Sequence, residues 1–179
     1  IFPSMPIYFW NDRNNQKYKK TYFSQYENVW THGDFISINL DSGIEIFGRS
    51  DATLNPSGVR IGTSEIYSVI EKIDKVSDCV VAGYKIDNDE KIILFIKLIA
   101  DCKLDDNLIF YIKDLIKKDC SPRHVPHNIY KVDSIPYTSN GKKIEIAVKQ
   151  IINGEDVSNL ESIANPKSLN CYKNLNISN

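Results

Sequence analysis

The chain lacks an excess of either charge: 22 Lys and Arg stand against 23 Asp and Glu, a net charge of −1. That balance leaves no electrostatic footprint for nucleic acid or an anionic membrane surface. No apolar run approaches the length that crosses a bilayer, so no membrane span is expected. Cysteine is scarce and scattered. Cys79, Cys102, Cys120 and Cys171 form no C-x-x-C pair and no short metal-ligand spacing, which reads as reduced thiols in a cytoplasmic compartment. His124 and His127 make an H-x-x-H, but Pro122 and Pro126 interrupt any helix there and no acidic or thiol ligand clusters near by. An incidental pair, with no metal, is the expectation. There is no internal repeat or low-complexity tract, and residues 1–8 are not a charged-then-apolar leader. The first residue is Ile1 rather than methionine, and the chain reads as a fragment of a longer protein.

What is present is ordinary for a soluble globular protein: 42% hydrophobic and 25% charged residues. The 179 residues allow one core with flanking pieces. Residues 1–34 are crowded with rings (Phe2, Tyr8, Phe9, Trp10, Tyr18, Tyr22, Phe23, Tyr26, Trp30) but show little periodicity. They are expected to form a loop-rich segment that packs on something larger. Residues 35–40 and 44–47 read as strands around the turn Asp41-Ser42-Gly43. Ile66, Val69, Ile70 and Ile73 share one helical face and predict a helix over 63–73, capped by Thr63 or Ser64. Residues 76–86 and 91–99 predict strands, 104–118 a helix with the stripe Leu108, Ile112, Leu115 and Ile116, and 128–132 a short strand. Residues 144–152 predict a last helix closed by Gly154. Together residues 51–155 are expected to form a compact α+β domain, with 156–179 as a polar tail lying on the surface.

Three polar segments carry the chemistry. Gly48-Arg49-Ser50-Asp51 leads into a loop ending Gly58-Val59-Arg60-Ile61-Gly62, Trp30-Thr31-His32-Gly33-Asp34 lies upstream, and Thr138-Ser139-Asn140-Gly141-Lys142 lies downstream. Glycines so spaced mark turns or close backbone approach, and arginine forks suit phosphate or carboxylate. Singly, each segment is more simply a solvated turn. In order, they resemble the late motifs of the adenylate-forming enzymes, the acyl-CoA synthetase and ligase superfamily. The match is tightest with a branch acting on a short keto acid, through Phe9-Trp10-Asn11-Asp12, Ser121-x-Arg123-His124-Val125-Pro126, Ile135-Pro136-Tyr137-Thr138 and Asn165-Pro166-x-Ser168-Leu169.

The resemblance implies a small, mobile C-terminal domain of α+β class, preceded by the last strands of a large N-terminal adenylation domain within residues 1–50. That large domain would be the chain's own partner. It implies that Asp34 and Arg49 bind the nucleotide, that Asp51 is the hinge, and that Lys142 is catalytic. It implies a coenzyme A face at Gly58 and Arg60, with Lys117 as a further contact. ATP, Mg2+ and coenzyme A follow as substrates and cofactor of the complete enzyme. One departure stands out: Glu145 occupies a position where many relatives carry arginine. The family's phosphate-cradling loop and its acid pocket are absent from these residues, so the fragment is expected to be inactive alone. Two other readings stay open here, a ligase for another short acid and a non-catalytic binding module of the same fold.

Overall fold

The computed structural model describes residues 3–157, 160–173, 175 and 177. Phe2, counted among the rings above, lies outside them. By contacts the chain divides into two compact units, Ile1–Asp34 and Phe35–Asn179.

The first unit is mostly turns and loops but also holds a short helix that the sequence pattern did not reveal. A 3-10 turn, Arg13–Asn15, leads into helix α1, Gln16–Tyr22. Asp12 makes this possible: its carboxylate accepts the amides of Lys17 and Tyr18, both at 2.8 Å, so two donors that the helix start leaves orphaned are satisfied. Seven residues are too few for a periodic signal to stand out, although Tyr18 and Tyr22 at i and i+4 share a face. Nor do all the rings wait for an outside partner. Trp30 stacks on Tyr22 with centroids 3.7 Å apart, and Phe9 and Phe23 meet Tyr18 or Trp30 at angles. Trp10 and Tyr8 do remain exposed.

The second unit opens with the hairpin β1 (Asp34–Ile38) and β2 (Ile44–Arg49). Contacts group this hairpin with the second unit, whereas the family resemblance places it before the hinge. Its two faces differ sharply: Phe35 and Phe47 meet on one, while Ile36, Ile38, Ile44 and Ile46 are exposed on the other. Downstream, α2 (Thr63–Ile70) starts without a Thr63 or Ser64 side-chain cap. Glu65 reaches back instead to accept the Gly62 amide at 2.9 Å. Gly62 has to be glycine, because a Cβ there would overlap Phe47.

The core is a three-stranded sheet of β3 (Val76–Ile86), β4 (Asp89–Leu98) and β5 (Asn128–Lys131), in that order. β3 and β4 are antiparallel, and β5 joins β4 in parallel. Both faces are covered, so the strands read as nearly continuous apolar runs. Cys79, Val81, Ile92, Leu94 and Ile96 pack under α2 and under α3 (Asp106–Asp119), which contributes Leu108, Ile112 and Ile116. Asp105 caps α3 by accepting the Leu108 amide. Val80, Ala82, Ile93 and Phe95 face Val148 and Ile152 of α4 (Glu145–Ile152).

The tail differs from expectation. Asn170–Lys173 forms a last helix, α5, after a 3-10 turn at Pro166–Leu169, and Ile163, Leu169 and Tyr172 are buried. Tyr172 sits edge-on to Phe95 beneath the sheet. A few large apolar side chains fasten a segment that is polar on average, and average polarity was what the sequence displayed.

Candidate active-site surface

Lys142 stands on a turn whose stem is closed by a bridge between Tyr137 and Lys143. The Thr138 amide donates to the Lys142 carbonyl at 2.8 Å, and the Gly141 amide to the Thr138 carbonyl at 2.9 Å. The Lys142 amide donates to the Thr138 hydroxyl at 3.1 Å. Gly141, at φ +75°, supplies the left-handed residue that the turn needs. Lys142 is exposed, and its ammonium makes no ion pair among the described residues.

Lys143 behaves oppositely. Its ammonium lies 3.1 Å from Asp78 and 4.5 Å over the ring of Tyr67. Asp78 follows a register shift in β3, the kind of irregularity that re-aims a side chain. It also accepts the Tyr137 hydroxyl at 2.7 Å. One carboxylate thus grips both sides of the turn's stem. Burial and the adjacent Asp78 push the Tyr137 hydroxyl pKa up, while burial raises the Cys79 thiol to about 12.

Glu145, the departure noted in the sequence, accepts the Tyr67 hydroxyl at 2.6 Å. Tyr67 in turn accepts the Val81 amide at 3.2 Å. Burial raises the Glu145 pKa despite the hydrogen bonds from Tyr67 and Thr63 and the charge of Lys143, and Asp51 adds to the rise. Burial and the Glu145 charge likewise push Tyr67 well up. From the tail, Asn165 accepts the Tyr137 amide and donates to the Ile135 carbonyl, and the Ala164 amide donates to the Tyr137 carbonyl. Sequence reasoning did not assign a role to Asp78, Tyr67 or Tyr137. Asp78 and Tyr67 were marked only as polar residues beside apolar ones, and Tyr137 only as part of the Ile135–Thr138 motif.

Arg49 and Asp51 occupy a turn in which the Ala52 amide donates to the Arg49 carbonyl at 3.2 Å. Their side chains approach to 3.5 Å, each half exposed. Gly48, at φ +121°, lies against Thr63, the first residue of α2. This turn therefore adjoins the helix whose Tyr67 supports Glu145. Gly58 (φ +82°) follows the left-handed Ser57 in a 3-10 turn, Pro56–Gly58, and an antiparallel bridge between Leu54 and Ile61 closes the loop. Arg60 is exposed on it. Lys117 is exposed in the last turn of α3, and no described hydrogen bond or ion pair ties it to that loop. In the first unit, Asp34 pairs with His32 at 2.7 Å.

His124 is held by Ser121 at 2.8 Å and faces Glu65 at 3.3 Å, with no aligned hydrogen bond to it. Among the described residues no three metal-ligating side chains gather.

No family model matches the chain. It is 51% identical over 174 residues to acetoacetyl-CoA synthetase of Caenorhabditis elegans, a match covering 96% of this chain and 25% of that protein. The chain matches the C-terminal portion of the acetoacetyl-CoA synthetases. The Gallus gallus acetoacetyl-CoA synthetase is 47% identical across 97% of the chain and 26% of its own length. The solved acetoacetyl-CoA synthetase of Streptomyces lividans superposes with a TM-score of 0.88 at 38% identity, over 97% of this chain and 26% of that one. The chain thus spans about a quarter of these relatives. Its small α+β domain is that of a C-terminal fragment of an adenylate-forming enzyme.

Proposed function

We propose that the chain is the end of the large domain, the hinge and the whole small domain of an AMP-forming ligase that joins acetoacetate to coenzyme A. The carrying observation is the contrast at the 138–143 turn, where Lys143 is engaged with Asp78 and Tyr67 while Lys142 projects from a braced stem.

In the first half-reaction a carboxylate oxygen of acetoacetate attacks the α-phosphorus of ATP, giving acetoacetyl-AMP and releasing pyrophosphate. Negative charge accumulates there, and Lys142, brought into a closed and water-poor site, stabilises it far more than in bulk water. Asp34 accepts from the ribose hydroxyls, and Arg49 contacts ribose or phosphate. In the second half-reaction the coenzyme A thiol, losing its proton, attacks the acyl carbon and AMP leaves. The small domain turns about Asp51 between the two, so that Gly58 and Arg60, with Lys117 as a further contact, meet coenzyme A. The described residues offer no cluster for Mg2+; the ion would accompany the phosphates.

The partner is the chain's own N-terminal adenylation domain, for which the exposed isoleucine face of β1–β2 offers a docking surface. The functional boundary falls at Asp51, residues 51–155 forming the mobile domain, with Ala164 and Asn165 of the tail fastening its turn. A fragment without the phosphate-cradling loop and acid pocket is inactive by itself. Among the described residues no helix is long and apolar enough to cross a membrane; the proposed location of the complete enzyme is the cytosol.

The test is pyrophosphate exchange and thioester formation by the full-length enzyme over a panel of short acids. Lys142→Ala is expected to slow adenylation by about two orders of magnitude, the usual loss for a charge-stabilising group. It should leave thioester formation from supplied acetoacetyl-AMP largely intact. Lys97→Ala, at an exposed position of β4, is the charge-matched control. Wild-type exchange in Lys142→Ala would reduce that lysine to a solvated turn residue.

A further inference from the structure

The Asn55–Arg60 loop has an anchor that its own sequence does not contain. The turn between β3 and β4 extends Asp89 and Glu90 onto it. Asp89 accepts the Ser57 amide at 2.6 Å and the Ser57 hydroxyl at 3.0 Å. One oxygen of Glu90 accepts the Asn55 amide at 2.9 Å. Its other oxygen lies 3.0 Å from the ammonium of Lys149 on α4. The Glu90 carboxyl folds over Gly83, where any Cβ would overlap it. It is the more enclosed of the two anchors, with a side chain 12% exposed, and Lys149 is 22% exposed. A charged group so enclosed needs both partners to offset lost hydration.

We propose that Glu90 is a positioning residue for thioester formation. It is a strut that joins the coenzyme A-facing loop to α4, the helix that begins three residues after Lys142. Two successive left-handed residues, Ser57 and Gly58, hold no position on their own in a solvent-facing loop. Glu90 fixes the loop's entry at Asn55 and refers that position to α4 through Lys149. When the small domain turns, the loop and the lysine turn keep one relative geometry, and the pantetheine arm meets a preformed edge. The inference rests on the reading that this loop faces coenzyme A.

The experiment uses the full-length enzyme with acetoacetyl-AMP supplied and coenzyme A varied. Glu90→Ala is expected to raise the KM for coenzyme A about tenfold, the scale of one charge-assisted hydrogen bond, with pyrophosphate exchange nearly unchanged. Glu90→Gln keeps an acceptor for Asn55 and the volume above Gly83 but loses the oxygen facing Lys149, so it should recover only to about the level of Lys149→Met. Lys149→Met frees Glu90 from α4 without altering the loop, and should raise the KM about threefold on the same scale. Wild-type KM in Lys149→Met, or a Gln variant as impaired as Ala, overturns the strut even if Glu90→Ala does not fold. Arg60→Ala separates the premises. If it leaves the KM for coenzyme A unchanged, the loop does not face the thiol substrate. If it raises the KM while the Glu90 and Lys149 variants do not, the loop reading stands and the strut fails.

Discussion

The turn at residues 138–143 and the loop at residues 55–60 share a design. Each rides on a glycine in the left-handed region, Gly141 at +75° and Gly58 at +82°, with open space where a Cβ would stand. Each presents an exposed cation, Lys142 or Arg60. They are held differently. The lysine turn is braced from beneath by partly buried groups, with Asp78 gripping Lys143 and Tyr137. The arginine loop is held from the side by Asp89, which is exposed, and Glu90. A group that must meet a fixed reacting centre gains from a rigid mount, because misplacement costs transition-state stabilisation directly. A surface that admits a long, flexible substrate arm needs its entry fixed, and there one enclosed carboxylate, Glu90, serves while Asp89 stays exposed.

The sharpest separation of the two turns is functional. Lys142→Ala should cost about a hundredfold in pyrophosphate exchange, whereas Arg60→Ala should leave exchange intact and raise the KM for coenzyme A. If both substitutions weaken the same half-reaction, the two turns do not serve different steps.

Next in size is Asp51→Pro, which removes a donor and fixes φ in the turn where Ala52 bonds to Arg49. Thioester formation should fall about tenfold more than adenylation, because alternation between the two turns requires this segment to move. Equal losses in both assays would argue against a hinge here.

Lys143→Ala is predicted to lower stability by about 1–3 kcal/mol, since it leaves the Asp78 carboxylate without its cation. The measurement is chemical denaturation. Arg60→Ala, with no buried partner, should shift the same midpoint far less. Similar shifts would erase the distinction between the mounts.

The smallest effects are in pH, and the two turns should respond with opposite sign. Glu145 has its folded pKa raised above the ordinary 4.5, chiefly by burial. The folded state therefore binds the extra proton, and stability falls as pH rises from 4.5 through the raised value. Glu145→Gln should flatten that fall while still accepting from Tyr67. Asp89 has its pKa lowered from 3.8, chiefly by the Ser57 amide. Its contribution is present above 3.8 and is lost as pH falls through the lowered value. Acid should release the 55–60 loop as it protonates Asp89, visible as a shift of the Ser57 amide resonance. A Ser57 amide that stays unshifted through that titration would remove Asp89 as the loop's mount.

Local pattern sufficed for much of this protein. The β-rich apolar runs in residues 76–86 and 91–99, the Leu108–Ile112–Ile116 stripe and the glycines at 58 and 141 specify strands, helix and turns through interactions a few residues long. The ordered motifs at Asp34, Arg49–Asp51, Gly58–Arg60 and Lys142 marked the candidate positions for the same reason, as each is a short contiguous string. Tertiary structure alone decided what supports them. Lys142 and Lys143 are adjacent and chemically identical in the sequence, and only Asp78, 65 positions before Lys143 by residue number, makes one an anchor and leaves the other exposed. Glu90 meets Asn55 and Lys149 across separations of 35 and 59 residues. The tail read as a polar surface segment because its polar average hid Leu169 and Tyr172, whose burial depends on Phe95 and α4 being in place. Electrostatic pairs and isolated apolar anchors act through space at a few ångströms, and which residues come within that distance is fixed only when the sheet has folded.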